Sequence, residues 1–140
     1  MIVSIDGTEN YDEDSLSEFV KNNRIIVLDF FAEWCGPCKE LSPKLVKINE
    51  KFPDVKILKI DIEQNNDMAD KYDIQSLPTL LFLYDGSIVH KETGVREEGK
   101  NIVCCIANLI IKAKYHEINV DQDIYDNEIH NKINELLSII

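Results

Sequence analysis

Ile25-Ile26-Val27-Leu28-Asp29-Phe30-Phe31-Ala32-Glu33-Trp34-Cys35-Gly36-Pro37-Cys38-Lys39 begins with seven residues, six of them apolar, and closes on two cysteines two residues apart. An unbroken apolar run of this length is the pattern of a strand buried on both faces. Downstream, Leu41, Leu45, Ile48 and Phe52 recur at helical spacing, which predicts a helix from about Cys35 to Phe52. Both cysteines therefore fall in the first turn of a helix that follows a central strand. Pro37 suits that turn, where its missing N–H is not needed. Pro43 lies inside the helix, where a lost hydrogen bond and a kink are expected.

The same alternation extends to both sides. Ile2 to Ile5, Val55 to Ile62, Thr79 to Tyr84 and Ser87 to Glu92 read as further strands, with Asp85-Gly86 as a hairpin turn. Helices are expected from Ser15, capped by Asp14 or Ser15, over Asp67 to Tyr72, and from near Glu97. Strands interleaved with helices predict one α/β domain. The helix after Glu97 is apolar almost all round, through Ile102, Val103, Cys104, Cys105, Ile106, Ala107, Leu109, Ile110 and Ile111. Such a helix needs cover on more than one side. The stripe Ile129, Ile133, Leu136, Leu137 and Ile140 in a last helix would supply it.

A thiol at a helix N-terminus meets unpaired N–H groups and the positive end of the helix dipole, which stabilise its thiolate. Cys35 is thus expected to be the exposed nucleophile and Cys38 the resolving thiol one turn deeper. A Cys-x-x-Cys pair is also half of a zinc site. His90, His116 and His130 are scattered, however, and Cys104-Cys105 are adjacent, so no second ligand pair has the usual spacing and no metal is expected. The adjacent cysteines read as packing residues, with a regulatory thiol as the alternative. Asp29 is the acid inside the apolar run. Burial there should raise its pKa and fit it for proton transfer; the alternative is that it tips outward or pairs with Lys59 on a neighbouring strand, and a lysine nearby would also tune a buried acid.

Bulk properties narrow the function. The chain has 140 residues, 44% hydrophobic and 29% charged, and a formal net charge of −11 with acids spread along its length. One domain with a real core is expected. No clustered Lys/Arg serves a nucleic acid. No apolar run approaches the roughly 18 residues of a membrane span, and Met1–Gly7 has neither the basic nor the apolar region of a secretory signal. A cytoplasmic protein is expected.

Phe30 to Lys39, with its Trp34-Cys35-Gly36-Pro37-Cys38 core, resembles the active-site signature of the thioredoxin family. Asp29 stands where that family keeps a buried acid, Lys59-Ile60-Asp61 resembles the strand bearing its lysine, and Ser76-Leu77-Pro78-Thr79 its cis-proline loop. Gly86 and Gly94 also fall in register, and the resemblance covers roughly residues 1–112. It implies a thioredoxin fold, a central mixed β-sheet flanked by helices, here with an extra C-terminal helix. It implies thiol–disulfide exchange on protein disulfides through Cys35 and Cys38, assisted by Asp29, Lys59 and Pro78. Trp34, Gly36, Pro37, Leu77, Gly94 and Val95 would line the substrate groove. No bound cofactor is implied; electrons would come from NADPH through a thioredoxin reductase. The Gly-Pro dipeptide points to a reductant.

Phe31 stands where many family members have Trp. The larger departure is the segment after about Lys114. Residues 1–114 are expected to form the thioredoxin domain and 115–140 an extension whose helix packs on it. A monomer is expected, with the extension as the alternative dimer surface. A second functional class is a redox-competent binding module anchored through that extension.

Overall fold

The computed structural model describes residues 2–140. Six strands form one sheet in the order β2-β1-β4-β3-β5-β6. They are β1 (Ile2–Ser4), β2 (Asn10–Tyr11), β3 (Ile25–Phe31), β4 (Val55–Asp61), β5 (Thr79–Tyr84) and β6 (Ser87–Thr93). Only β3 and β4 pair in parallel; the remaining pairs are antiparallel. The helices are α1 (Glu13–Asn22), α2 (Gly36–Lys51), α3 (Asn66–Lys71), α4 (Lys100–Lys114) and α5 (Gln122–Ile139).

Alternation along β3 explains why its whole run is apolar. Ile25 and Val27 point to a core shared with Leu41, Leu45 and Ile48 of α2 and Ile102 and Ile106 of α4. Ile26, Leu28 and Phe30 point to the opposite core, with Leu16 of α1 and Met68 of α3. Each face needs its own apolar set, so the period-2 signal of a half-exposed strand disappears.

Several local expectations change. Asp12, not Asp14 or Ser15, caps α1: its carboxylate accepts from the Ser15 N–H at 2.8 Å, and Ser15 Oγ accepts from the Asp12 N–H at 2.9 Å. Two end groups are satisfied by one reciprocal pair, which neither alternative cap offers. Helix α2 runs on through Pro43, as expected, and the proline forgoes the hydrogen bond to the Lys39 carbonyl. The Asp85-Gly86 turn has positive φ at both residues, 48° and 83°, as a two-residue hairpin requires. At Glu97 the chain makes a short 3₁₀ turn through Gly99 (φ 99°) before α4 begins at Lys100.

Helix α5 starts at Gln122, capped by Asp121, and its Leu136 is fully buried within the α2–sheet–α4 core. Ile133, Leu137, Ile139 and Ile140 pack around it, and Lys132 Nζ lies 4.8 Å from the ring centroid of Phe52, the C-cap of α2. The helix is thus continuous with the main core. Leu136→Ala is expected to cost about 2–5 kcal/mol, read as a lower urea midpoint at unchanged slope. Ile124→Ala, at a site 52% exposed, should change stability by about 0.5 kcal/mol or less. Equal midpoints for the two variants would mean that α5 contributes nothing to the core. Among the described residues no helix is long and apolar enough to cross a membrane.

Candidate functional site

Strand β3 ends at Phe31, and four residues later Cys35 occupies the N-cap of α2. Its Sγ accepts from the Cys38 N–H at 3.2 Å, one of the donors a helix start leaves unpaired. Cys35 and Cys38 are joined by a disulfide, with Cα atoms 5.3 Å apart. Cys35 was expected to be exposed and is not: only 4% of its surface is accessible, against 3% for Cys38. The difference between them lies in access. Cys35 lines a cavity of about 310 Å³ together with Trp34, Gly36, Pro37 and Leu77, and Cys38 does not. Trp34 stands out from this rim, 68% exposed.

Ile62, Ile74, Gln75 and Ser76 complete the cavity, and sequence reasoning did not single out any of them for the groove. The parallel pairing of β3 with β4 brings Ile62 there, fixed by its N–H to the Phe31 carbonyl at 3.0 Å. The opposite lip is the 76–79 turn, in which Thr79 Oγ1 donates to the Ser76 carbonyl and the Leu77–Pro78 peptide is cis. Gly94 and Val95 do not line this cavity. The Gly94 N–H donates to the Pro78 carbonyl at 2.8 Å, and Val95 packs on the α4 side of the core.

Asp29 is 1% exposed on the sheet face that α2 covers, and among the described residues neither carboxylate oxygen has a hydrogen-bond partner. Burial pushes its carboxyl up to about 7, and the charge of Lys59 offsets part of that. Asp29 does not tip outward, and Lys59, opposite it in register, directs its ammonium over the Phe31 ring at 4.2 Å instead of pairing with it. Lys59 therefore tunes the acid through its charge without forming an ion pair with it. An unpartnered buried carboxyl with a raised pKa is a proton acceptor near neutral pH.

Cys104 and Cys105 are both free thiols of intermediate exposure. Burial, then the charge of Glu92, pushes the Cys105 thiol up to about 12, so it is inert as a free nucleophile. The three histidines stay apart in the fold, but one of them meets a thiol and a carboxylate that sequence spacing did not link to it. His90, Glu92 and Cys105 come together, with one potential ligand atom from each, all within 4.8 Å of one another.

The Thioredoxin family model matches residues 7–107 of this chain. Thioredoxin of Chlamydia trachomatis is 37% identical over 97 residues, 69% of this chain and 89% of that protein. Thioredoxin H-type of Picea mariana is 35% identical over 92 residues, 66% of this chain and 73% of its own length. Among solved structures, Fasciola hepatica thioredoxin is 40% identical with a TM-score of 0.54, over 58% of this chain and 77% of that one. Trypanosoma brucei brucei thioredoxin superposes at a TM-score of 0.63 and 26% identity, over 72% and 88% respectively. Helix α5 lies beyond the matched residues. Taken with a disulfide that closes across the first turn of α2, these likenesses bear out the expected fold and chemistry: the chain belongs to the thioredoxin family and is a protein-disulfide oxidoreductase working by dithiol–disulfide exchange.

Proposed function

We propose that this oxidoreductase runs as a reductase of protein disulfides, with the Cys35 thiolate as nucleophile. Attack on a substrate disulfide forms a Cys35–substrate bond and releases one substrate thiolate. Cys38 then gives its proton to Asp29 and attacks the Cys35 sulfur, which frees the second substrate thiolate. Two electrons pass to the substrate, and the protein is left with its Cys35–Cys38 bond. The observation that carries this reading is that closed pair at the helix N-terminus, with Cys35 alone of the two on the cavity.

Lys59 tunes Asp29 through its charge. Trp34, Gly36, Pro37 and Leu77 form the docking groove; Gly94 supports it through its N–H bond to the Pro78 carbonyl, and the neighbouring Val95 anchors that turn on the core. Electrons return from NADPH through a thioredoxin reductase, and the exchange itself uses no bound redox cofactor. The working partners are that reductase and disulfide-bearing proteins, not nucleic acid or membrane, in a cytoplasmic setting that keeps Cys104 and Cys105 as thiols. Residues 1–114 form the redox domain, and 115–140 serve its stability in a monomer. The burial of Leu136 favours this role over a free docking arm.

The test is reduction of insulin disulfides driven by NADPH and a thioredoxin reductase, with dithiothreitol as the alternative electron source. Turnover is expected with both. None with dithiothreitol would sink general disulfide reduction; turnover with dithiothreitol alone would sink only the NADPH route.

A further inference from the structure

We propose that His90, Glu92 and Cys105 form a zinc site on the β6–α4 face, separate from the redox disulfide. Residues 90 and 92 are two apart on β6, so their side chains share a face of the strand. Helix α4 crosses that face and brings Cys105 to it. His90 Nε2 lies 2.8 Å from Glu92 Oε1, and Cys105 Sγ lies 4.0 Å from the same oxygen. Bonds of about 2.0–2.3 Å to a tetrahedral ion separate its ligand atoms by roughly 3.3–3.8 Å. The three atoms, all within 4.8 Å of each other, reach that spacing with small rotamer changes. The ion takes the place of the His90–Glu92 hydrogen bond, and the Cys105 thiol proton leaves to solvent.

The outer groups suit such a site. The other oxygen of Glu92, Oε2, is held by the Arg96 guanidinium and by Asn101 Nδ2 at 2.9 Å, which leaves Oε1 aimed at His90 and Cys105. Asn101 Nδ2 also donates to the Gly94 carbonyl at 3.1 Å and its Oδ1 accepts from the Arg96 N–H at 2.9 Å, so the carboxylate is fixed from behind. A cavity of about 330 Å³ lined by His90, Cys104, Cys105 and Tyr125 gives an entry path and room for water as fourth ligand. Nitrogen, carboxylate oxygen and thiolate sulfur together select zinc over magnesium or calcium. The bland reading is an ion-pair cluster that pins the edge strand β6 to α4. The Cys105 thiol is not needed for that cluster: its closer partner is the Asn101 carbonyl, at 3.3 Å against 4.0 Å to Glu92 Oε1, and zinc would take the place of that S–H bond.

The experiment uses the full chain with its Cys35–Cys38 disulfide closed, so that those sulfurs cannot ligate, and with two free thiols verified by titration. Zn²⁺ is added in a calorimeter, and Co²⁺ is followed by absorbance. One equivalent of each is expected to bind, with a sulfur-to-cobalt charge-transfer band and visible bands of tetrahedral intensity. Cys105→Ser should abolish the charge-transfer band and Cys104→Ser should keep it. His90→Ala, at a half-exposed position that folding tolerates, should weaken Zn²⁺ binding by about 10-fold or more. No charge-transfer band at saturating Co²⁺, a band that survives Cys105→Ser, or Zn²⁺ affinity unmoved by His90→Ala would each overturn the site. Insulin reduction does not enter these readouts, so the redox reading stands or falls independently.

Discussion

Cys35→Ser is expected to bring insulin reduction to background, and Cys38→Ser to trap insulin covalently on the protein. Cys35 sits at the N-cap of α2, where its sulfur already accepts the Cys38 N–H and faces the cavity a substrate must enter. Serine there keeps the size and the cap but supplies no thiolate and forms no mixed disulfide, so the first electron-pair transfer has no route. Serine at 38 leaves that first step intact and removes the sulfur that resolves it. A non-reducing gel should then show an adduct of Cys38→Ser with an insulin chain that dithiothreitol releases, and none with Cys35→Ser. An adduct on the Cys35→Ser protein alone would reverse the two roles.

Asp29→Asn should stabilise the oxidised protein, and the gain should grow with pH. The Asp29 carboxyl is held at about 7 in the fold, against 3.8 for the free side chain. Between those values the unfolded chain has lost this proton while the folded one keeps it, so wild-type stability falls as pH rises through that window. Below about pH 4 both states are protonated, and above pH 7 both are ionised, so the difference is flat at either end. At about 1.4 kcal/mol per unit, the full effect is on the order of 4 kcal/mol. Asparagine is neutral throughout and nearly isosteric. Its advantage in urea unfolding should therefore be small near pH 4 and approach that figure at pH 8. The same substitution removes the proton acceptor for Cys38, and turnover at neutral pH should slow by up to about 10²-fold. A stability difference independent of pH from 5 to 8 would refute the buried, raised carboxyl.

The parts of this molecule that were legible in its sequence are those where burial leaves a local mark. The run Ile25–Phe31 betrays a strand covered on both faces, and Asp29 is conspicuous because it interrupts that run. Asp85-Gly86 encodes its own turn through the residues that tolerate positive φ. The parts that were not legible depend on distant partners. Strand β2 is two residues long and exists because Tyr11 lies opposite Ile2. In the first two turns of α5 only Tyr125 and the exposed Ile124 interrupt a polar run, so the apolar stripe begins late, at Ile129. Among Asp12, Asp14 and Ser15 each residue type can cap, and only the reciprocal bond with Ser15 selects Asp12. Ile62 and Gln75 reach the groove because two loops converge there, and His90 meets Cys105 because α4 crosses β6. No spacing along the chain carries that information.

The burial of Leu136 also bears on how the protein is made. Elements leave the ribosome in chain order, and α5 follows every strand and every other helix. Until it emerges, the nascent chain holds a sheet that can pair and a redox turn that can close, but α4 still offers water the apolar face that α5 will cover. A chain cut before Gln122 is therefore expected to keep the residues of the redox turn while leaving the apolar flank that Leu136 covers open to water.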